Sequence, residues 1–215
     1  ILNEQGQLIL RIEYDQISEI SNDYFIVPQG EEYLALDRNQ DNTEVFRYPG
    51  RISYFDGEIA IAYQETEQDW DNVCMLNAAG DVLLEGYRTL MADSMINQEG
   101  GGSKANLFYG EKENEAGKPI TQLMNRQGEI LQEFDENTYL SIDQDQVLVS
   151  QYRFDETTGE DESRAWVMNA AGEEIIPQNV YQSIYQSYGE DGTLQSYYWG
   201  IKQTAQGVQL MDLLD

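Results

Sequence analysis

Short apolar runs separated by polar turns recur along the whole chain and predict a β-repeat protein. The turn consists of Asn or Asp, two further residues and Gly. Asn and Asp tolerate left-handed backbone, and Gly adopts a positive φ without steric cost, so each turn predicts a tight hairpin. The complete copies that follow a short apolar stretch and recur with the repeat are Asn3–Gly6, Asn77–Gly80, Asn125–Gly128 and Asn169–Gly172.

Two further copies of the turn are incomplete. Asp37–Gln40 lacks the glycine, which predicts a wider or irregular turn, and a last copy begins at Asp212. The six copies begin at positions 3, 37, 77, 125, 169 and 212, which gives a mean spacing of about 42 residues. This spacing is typical of one four-stranded β-propeller blade.

Four of the units also contain an aromatic residue followed three positions later by an aliphatic one, and both are expected to anchor the unit in the core. In each unit one strand follows the turn and precedes the position of this pair. The third strand of the unit comes after the pair, and the fourth strand leads into the next turn. The predicted anchors are Tyr14 with Ile17, Tyr87 with Leu90, Tyr139 with Ile142, and Tyr181 with Ile184. No stretch has a sustained 3.6-residue apolar period, so little helix is expected.

The pattern therefore predicts an all-β repeat protein of about five four-stranded antiparallel units, with residues 1–215 forming a single β-repeat domain. We favour a closed five-bladed β-propeller. In that fold the strand ending at Asp212 pairs near Ile1–Asn3, so that no sheet edge stays exposed. The alternative is an open array of β-hairpin repeats.

The segment Asn169–Pro177, with Tyr181 and Ile184 after it, resembles the WG-repeat family of bacterial β-rich proteins. The resemblance extends over five short units. The Trp-Gly pair of the family name is missing from its expected place before the turn, and the one literal pair, Trp199-Gly200, falls in a predicted third strand. The chain thus resembles a divergent member. The resemblance implies an exported or surface-attached protein, and it implies no chemistry.

The charge of the chain restricts its partners. Forty acidic residues oppose 12 basic ones, giving a net charge of -28, and the basic residues are not clustered. Nucleic acid and anionic membranes are therefore poor partners, and mutual repulsion favours a monomer. Crowded carboxylates are expected to have raised pKa values, which predicts a higher melting temperature near pH 5 than near pH 8.

Hydropathy and the first residue of the chain bear on its cellular location. No apolar run approaches 18 residues, so no membrane span is predicted. The chain begins at Ile1 rather than Met, and we expect that a signal or lipoprotein segment has been removed. These points predict an extracellular or cell-surface location.

The residues suited to catalysis are few. Histidine is absent, and the lone cysteine, Cys74, lies in an apolar run that predicts a buried thiol. A serine nucleophile would lack a histidine partner, and the sequence has no glycine-rich phosphate loop. We therefore predict no catalytic, cofactor-binding or metal-binding residue, and the sequence names no binding residue.

Calcium is the one candidate ligand ion. Asp37, Asn39 and Asp41 have the alternate spacing of the first ligands in a calcium loop, but the later glycine and glutamate of such a loop are absent. The run Asp155–Glu162 also gathers carboxylates. Solvated loops are the favoured interpretation of both segments.

Aromatic residues near the C-terminal end form a candidate platform for a sugar or peptide, although packing is the favoured interpretation. They are Tyr181, Tyr185, Tyr188, Tyr197, Tyr198 and Trp199. The sequence thus predicts a non-catalytic binding or scaffold module with a protein or carbohydrate ligand. The alternative is a carboxylate-based glycoside hydrolase on a propeller, which needs two carboxyl groups at a defined separation.

Overall fold

The regular structure consists of β-strands throughout the described part of the chain. The computed structural model describes residues 17, 19–20, 23–63, 72–92, 104–143, 145–155, 160–187, 197–204 and 207–213. These residues form nineteen strands in five antiparallel sheets, and neighbouring strands in each sheet are consecutive in sequence. The predicted all-β fold is confirmed. No described helix is long and apolar enough to cross a membrane.

The first three sheets have four strands each. The first sheet contains β1 (Glu19–Ile20), β2 (Tyr24–Gln29), β3 (Glu32–Asp37) and β4 (Thr43–Tyr48). The second contains β5 (Arg51–Phe55), β6 (Ile59–Tyr63), β7 (Val73–Asn77) and β8 (Val82–Tyr87). The third contains β9 (Thr89–Ala92), β10 (Leu107–Glu113), β11 (Pro119–Asn125) and β12 (Ile130–Phe134).

The fourth sheet has four strands and the fifth has three described strands. The fourth contains β13 (Thr138–Asp143), β14 (Gln146–Asp155), β15 (Glu160–Asn169) and β16 (Glu174–Tyr181). The fifth contains β17 (Ser183–Ser187), β18 (Tyr197–Thr204) and β19 (Gly207–Asp212). The Trp199-Gly200 pair lies in β18, in the strand that the sequence predicted.

The predicted turns after Asp37, Asn77, Asn125 and Asn169 join the third and fourth strands of their sheets. The predicted turn Asn3–Gly6 lies outside the described residues. In the second sheet, Asn77 Oδ1 accepts the N–H groups of Ala79 and Asp81, each at 2.9 Å, and Gly80 has a φ of 86°. The incomplete copy after Asp37 needs five connecting residues, with Asp41 and Asn42 in left-handed backbone, so the predicted wider turn is confirmed.

An additional turn of the same chemistry connects β10 and β11. Asn114 Oδ1 accepts the N–H groups of Ala116 at 2.9 Å and Lys118 at 3.0 Å, and Gly117 has a φ of 71°. The motif is therefore a local hairpin signal, and its presence alone does not mark a repeat boundary.

Each pair of neighbouring sheets encloses its own apolar layer. The layers join the first sheet to the second, the second to the third, the third to the fourth, and the fourth to the fifth. Their most buried members include Ala35, Ala60, Met75, Phe108, Leu123, Val149, Val167 and Tyr198. Burial on both faces explains why strands such as Ile59–Tyr63 are apolar throughout rather than alternating.

An aromatic ring at the end of the fourth strand packs onto the following sheet. These rings belong to Tyr48, Tyr87, Phe134 and Tyr181. A Cβ atom at Gly110 would lie 2.8 Å from Tyr87 Cδ1, and one at Gly200 would lie 2.5 Å from Tyr181 Cδ1. Glycine therefore allows the ring to approach the second strand of the next sheet.

The predicted anchors Tyr87, Leu90 and Ile184 are confirmed as core residues. The assignment of Tyr139 as an anchor is wrong, because its side chain is 59% exposed. Phe134 ends the fourth strand of the third sheet and packs in the layer beneath the fourth sheet, so the anchoring position is already filled.

Closure of the five sheets into a ring is not seen in the described part of the chain. The predicted partner segment Ile1–Asn3 lies outside the described residues. On the fifth sheet, the face turned away from the fourth sheet exposes Tyr185 (56%), Trp199 (37%) and Leu210 (64%). The structure shows a succession of five packed antiparallel sheets.

Replacing Gly200 by alanine should destabilise the fold by about 1–3 kcal/mol, because the added methyl group overlaps the Tyr181 ring. The free energy of unfolding should be measured in urea. In a double-mutant cycle with Tyr181→Leu, the second change should recover part of the loss, since the smaller side chain makes room. Strictly additive losses would show that the ring and the glycine do not interact.

Candidate binding surface

Three large aromatic side chains are exposed on the fourth sheet. Tyr139 on β13 is 59% exposed, and Tyr152 and Phe154 on β14 are 49% and 64% exposed. Large aromatic residues normally bury much of their area, so three exposed neighbours are a candidate for ligand contact. We call these three residues the aromatic surface.

The aromatic surface results from the length of the β14–β15 hairpin. Both strands have ten residues, and β14 runs beyond β13, which begins with Thr138 opposite Gln151. Gln151 shares a face with Val149 and is 7% exposed, and its Nε2 donates to Thr138 Oγ1 at 3.3 Å. Alternation along the strand therefore places Tyr152 and Phe154 on the opposite face.

The two tyrosine rings contact each other across the strands. Tyr139 lies opposite Ser150, so it is a diagonal neighbour of Tyr152. The ring centroids are 5.8 Å apart, and the ring planes meet at 71°. Within the described residues neither tyrosine hydroxyl has a hydrogen-bond partner, which leaves both available to a ligand.

Two clefts adjoin the aromatic surface and share Asn137. The first has a volume of about 450 Å³ and is lined by Asn137, Tyr139, Ser150 and Tyr152. The second has a volume of about 520 Å³ and is lined by Asn114, Lys118, Pro119, Ile120, Asp135, Glu136, Asn137, Arg153 and Phe154. Asn137 has a left-handed φ of 64°, and its carbonyl oxygen accepts the N–H of Tyr152 at 3.0 Å.

The described residues that line the second cleft carry charges of both signs. Arg153 Nη2 lies 2.9 Å from Asp135 Oδ2, and both side chains are more than half exposed. Lys118 and Glu136 line the same cleft. The described part of the lining thus includes two basic and two acidic residues.

A partly buried ionic cluster joins the second and third sheets elsewhere in the molecule. Arg126, in the turn after β11, contacts Asp56 at 2.8 Å and Glu58 at 3.1 Å in the turn after β5. The side chains of Arg126 and Asp56 are 13% and 8% exposed. Arg126 also donates to the carbonyl oxygen of Ala105, and Tyr54 donates to Asp56 Oδ2 at 2.8 Å. Lys104 also pairs with Glu58, so two basic side chains oppose two carboxylates in this cluster.

The pKa of the Asp56 carboxyl reflects two opposed effects. Burial raises this pKa, but hydrogen bonds from Arg126 and from neighbouring backbone N–H groups outweigh the burial. The net pKa therefore lies below the usual value. The hydrogen bond from Lys104 lowers the pKa of Glu58, and the hydrogen bond from Arg47 lowers that of Glu44. The expectation of raised carboxyl pKa values is wrong for these three residues, because each has a cationic neighbour.

The candidate calcium residues make a turn. The Asp37 carboxylate accepts Asn39 N–H at 2.8 Å and Gln40 Nε2 at 2.7 Å, while Asn39 Nδ2 donates to Asp23 at 2.9 Å. No group of three or more His, Cys, Asp or Glu side chains suited to a metal occurs among the described residues. Four residues of the run Asp155–Glu162 lie outside them. Calcium binding stays a prediction.

The aromatic cluster predicted near the C-terminal end is divided between two faces. Tyr198 is buried at 1% exposure, and Tyr181 packs in the layer between the fourth and fifth sheets. Tyr185 and Trp199 are paired across β17 and β18 on the exposed face. Tyr188 lies outside the described residues. The six residues therefore do not form one platform.

The sequence does not reveal the aromatic surface, because the spacing of Tyr139 and Ile142 predicts a core anchor at Tyr139. The sequence signal for this surface is the change along β14 from alternating aliphatic residues to alternating aromatic ones. Val147 and Val149 are buried at 0% exposure, whereas Tyr152 and Phe154 follow at alternate positions on the other face. The buried thiol of Cys74 is confirmed, with Tyr48 Oη 3.4 Å from its Sγ.

Comparison with known families confirms the resemblance stated from the sequence. Residues 1–33 match the family model described as WG containing repeat. The chain is therefore similar to the WG-repeat family over this segment. None of the curated proteins matches the chain.

Solved β-propellers are among the structures that resemble this chain. The β-propeller domain of the trilobed protease from Pyrococcus furiosus is 10% identical, with a TM-score of 0.49 over 94% of this chain and 72% of that chain. Hsv2 from Kluyvelomyces marxianus is 10% identical, with a TM-score of 0.47 over 97% of this chain and 74% of that chain.

The endo-arabinase from Bacteroides thetaiotaomicron is 9% identical, with a TM-score of 0.27 over 91% of this chain and 94% of that chain. All three TM-scores are below 0.5. We therefore transfer neither sheet number nor activity from these proteins to this chain.

Replacing Arg126 by methionine should destabilise the protein by about 3 kcal/mol near pH 7, because it leaves the buried Asp56 carboxylate without its partner. Asp56 has a lowered folded pKa, so its contribution is present above the unfolded pKa and is lost as pH falls through the folded pKa. The difference from the unmodified protein should therefore shrink near pH 3. Urea unfolding at both pH values measures it.

Arg47→Met is the matched control for this prediction. Arg47 also pairs with two glutamates, but its side chain is 41% exposed. Loss of an exposed pair should cost about 1 kcal/mol or less. Equal losses in the two variants would contradict a special role for the Arg126 cluster.

Proposed function

We propose that this chain is a non-catalytic binding module of an exported or surface-attached bacterial protein, with a protein or carbohydrate ligand. The observation that carries the proposal is the aromatic surface, which lies beside two clefts and is presented by strands rather than loops. Rigid exposed aromatic side chains contribute contact area at little entropic cost, as binding sites require.

The residues around the clefts favour binding over catalysis. The chain has no histidine. Asp135, one of the two carboxylates among the described residues of the second cleft, forms an ion pair with Arg153. The resemblance to the WG-repeat family supports the cell-surface location.

A carboxylate-based glycoside hydrolase is the second candidate, because Asp135 and Glu136 both line a cleft beside exposed aromatic rings. A panel of oligosaccharides, peptides and cell-surface extracts should be tested for binding and for hydrolysis. Binding without turnover is the expected result. Turnover that is lost in Glu136→Gln would establish the hydrolase instead.

Closure into a five-bladed ring belongs to the same proposal, together with a monomeric state. Closure would cover the exposed face of the fifth sheet and supply its fourth strand, as full closure does in propellers. The first and fifth sheets lie at opposite ends of the succession of sheets, and a ring brings such ends together.

Small-angle X-ray scattering distinguishes the closed ring from an open array. A compact chain of this length should have a radius of gyration of about 17 Å. The forward scattering should correspond to a monomer of 24.6 kDa. A clearly larger radius at monomer mass would indicate the open array, and a mass of twice this value would contradict the monomer.

A further inference from the structure

We propose that the aromatic surface docks a basic segment of a protein partner, whose lysine and arginine side chains lie over the rings and reach the acidic residues beside them. This inference rests on the proposed function and adds the chemistry of the partner. It is supported by the geometry of the rings, by the acidic end of the β14–β15 hairpin, and by the burial of the neighbouring sheet edge.

The ring geometry suits a cationic side chain. The face of an aromatic ring carries partial negative charge and attracts a cation that lies over it. The Tyr139 and Tyr152 ring centroids are 5.8 Å apart and the planes meet at 71°, so the two rings form the sides of a corner. Phe154 follows two residues further along β14, roughly 6.8 Å away for a regular strand. Such a strip can contact the methylene groups of lysine or arginine while the charged heads reach beyond it.

The acidic end of the β14–β15 hairpin lies beside Phe154. The last three pairs of the register are Arg153 with Glu162, Phe154 with Asp161, and Asp155 with Glu160. Four of these six residues are acidic and one is basic. A cation over Phe154 is therefore surrounded by positions that carry negative charge, which favours its binding.

One of these pairs places like charges against each other. Asp155 and Glu160 are directly opposite in an antiparallel ladder. Like charges in this arrangement destabilise strand pairing. A basic ligand would offset the repulsion, whereas a neutral ligand would leave it unchanged and an anionic ligand would add to it.

The cationic side chains near the surface are too few to offset the acidic residues. Arg153 and Arg164 each pair with a carboxylate, at 2.9 Å and 3.1 Å. Lys118 is the other cationic residue among the described lining of the second cleft. Asp135 and Glu136 add to the acidic residues of the hairpin, so six acidic residues oppose three basic ones in this described region. The net charge of -28 on the whole chain also speeds the approach of a basic partner.

The open edge of the fourth sheet is not accessible to an added peptide strand. β13 is the edge strand, and strand addition would use its outward backbone groups. Because the carbonyl oxygen of Asn137 bonds to β14, alternation turns the backbone groups of three residues towards the edge. They are Thr138, Leu140 and Ile142, which are 3%, 7% and 1% exposed. Thr121 Oγ1 of the third sheet already donates to the carbonyl oxygen of Thr138. The partner must therefore contact side chains on the face of the sheet.

The test uses the whole chain with an array of short peptides and short oligosaccharides, each in basic, neutral and acidic forms. The peptides keep one aliphatic pattern and carry Arg, Gln or Glu at the positions between. The Arg peptides should bind most tightly, and isothermal titration calorimetry then measures Kd for the best of them. Because salt screens exposed charges, Kd should rise about tenfold or more between about 50 mM and about 500 mM sodium chloride.

Variants of the rings test the place of binding. Tyr139→Leu and Tyr152→Leu keep an apolar side chain but lose the ring, and each should raise Kd about fivefold. Tyr152→Phe keeps the ring face and should leave Kd within about twofold. Tyr185→Leu is the matched control, since Tyr185 is a comparably exposed tyrosine on the fifth sheet, and Kd should not change. Near-ultraviolet circular dichroism verifies that each variant is folded.

Variants of the acidic residues separate this site from attraction by net charge. Asp161→Asn removes the charge opposite Phe154, so it should raise Kd and weaken the dependence on salt. Glu85→Gln is the matched control, because it changes the net charge by the same amount at an exposed position of β8 in the second sheet. Equal effects of the two variants would show that the chain attracts basic peptides without a site, and would overturn the inference.

Other results would overturn the inference as well. They are tighter binding of neutral or acidic peptides, unchanged binding by the two leucine variants of the rings, and binding of oligosaccharides alone. An oligosaccharide that binds at the aromatic surface would leave the proposed binding function standing. If no probe of either kind binds, the proposed function fails together with the inference.

Discussion

The close approach of an aromatic ring to a neighbouring β-strand is the contact on which the packing of the sheets depends. Tyr87 and Tyr181 end the last strands of their sheets, and each ring lies where a Cβ on the next sheet would overlap it. Gly110 and Gly200 leave that space. In the second sheet Ala62, at 0% exposure, pairs with Ile52 as Gly110 pairs with Leu90. A small residue on the second strand of one sheet and a large ring at the end of the preceding sheet thus pack against each other.

The features that the sequence predicts correctly are local ones. Turn chemistry is local, so the Asn-x-x-Gly hairpins, the strand order within a unit and the wider turn after Asp37 follow from the residues themselves. The anchor Tyr139 was misassigned because a fixed spacing cannot distinguish it from Phe134. Only the three-dimensional packing shows that Phe134 has already filled the layer. Ring closure depends on contacts between the two ends of the chain, and no local pattern encodes it.

The candidate site also depends on contacts that a local sequence pattern does not reveal. A sequence search for clustered aromatic residues selects the region around Trp199, where strand alternation separates Tyr198 from Tyr185. The aromatic surface instead joins residues from two strands, Tyr139 and Tyr152, that become neighbours through the β13–β14 register. Its clefts also draw on Lys118 from another sheet. Such a site is a product of register and sheet packing, and adjacency in sequence does not reveal it.

The layered core stabilises some sheets more than others. Four of the described apolar layers join one sheet to the next, so neighbouring sheets support each other. The first sheet is also buried on its other face, where Phe25, Val27, Leu34 and Leu36 are at most 1% exposed. The fifth is held by one described layer and exposes its other face. A chain built in this way loosens first at its fifth sheet, and the fourth sheet, which carries the aromatic surface, lies directly next to it.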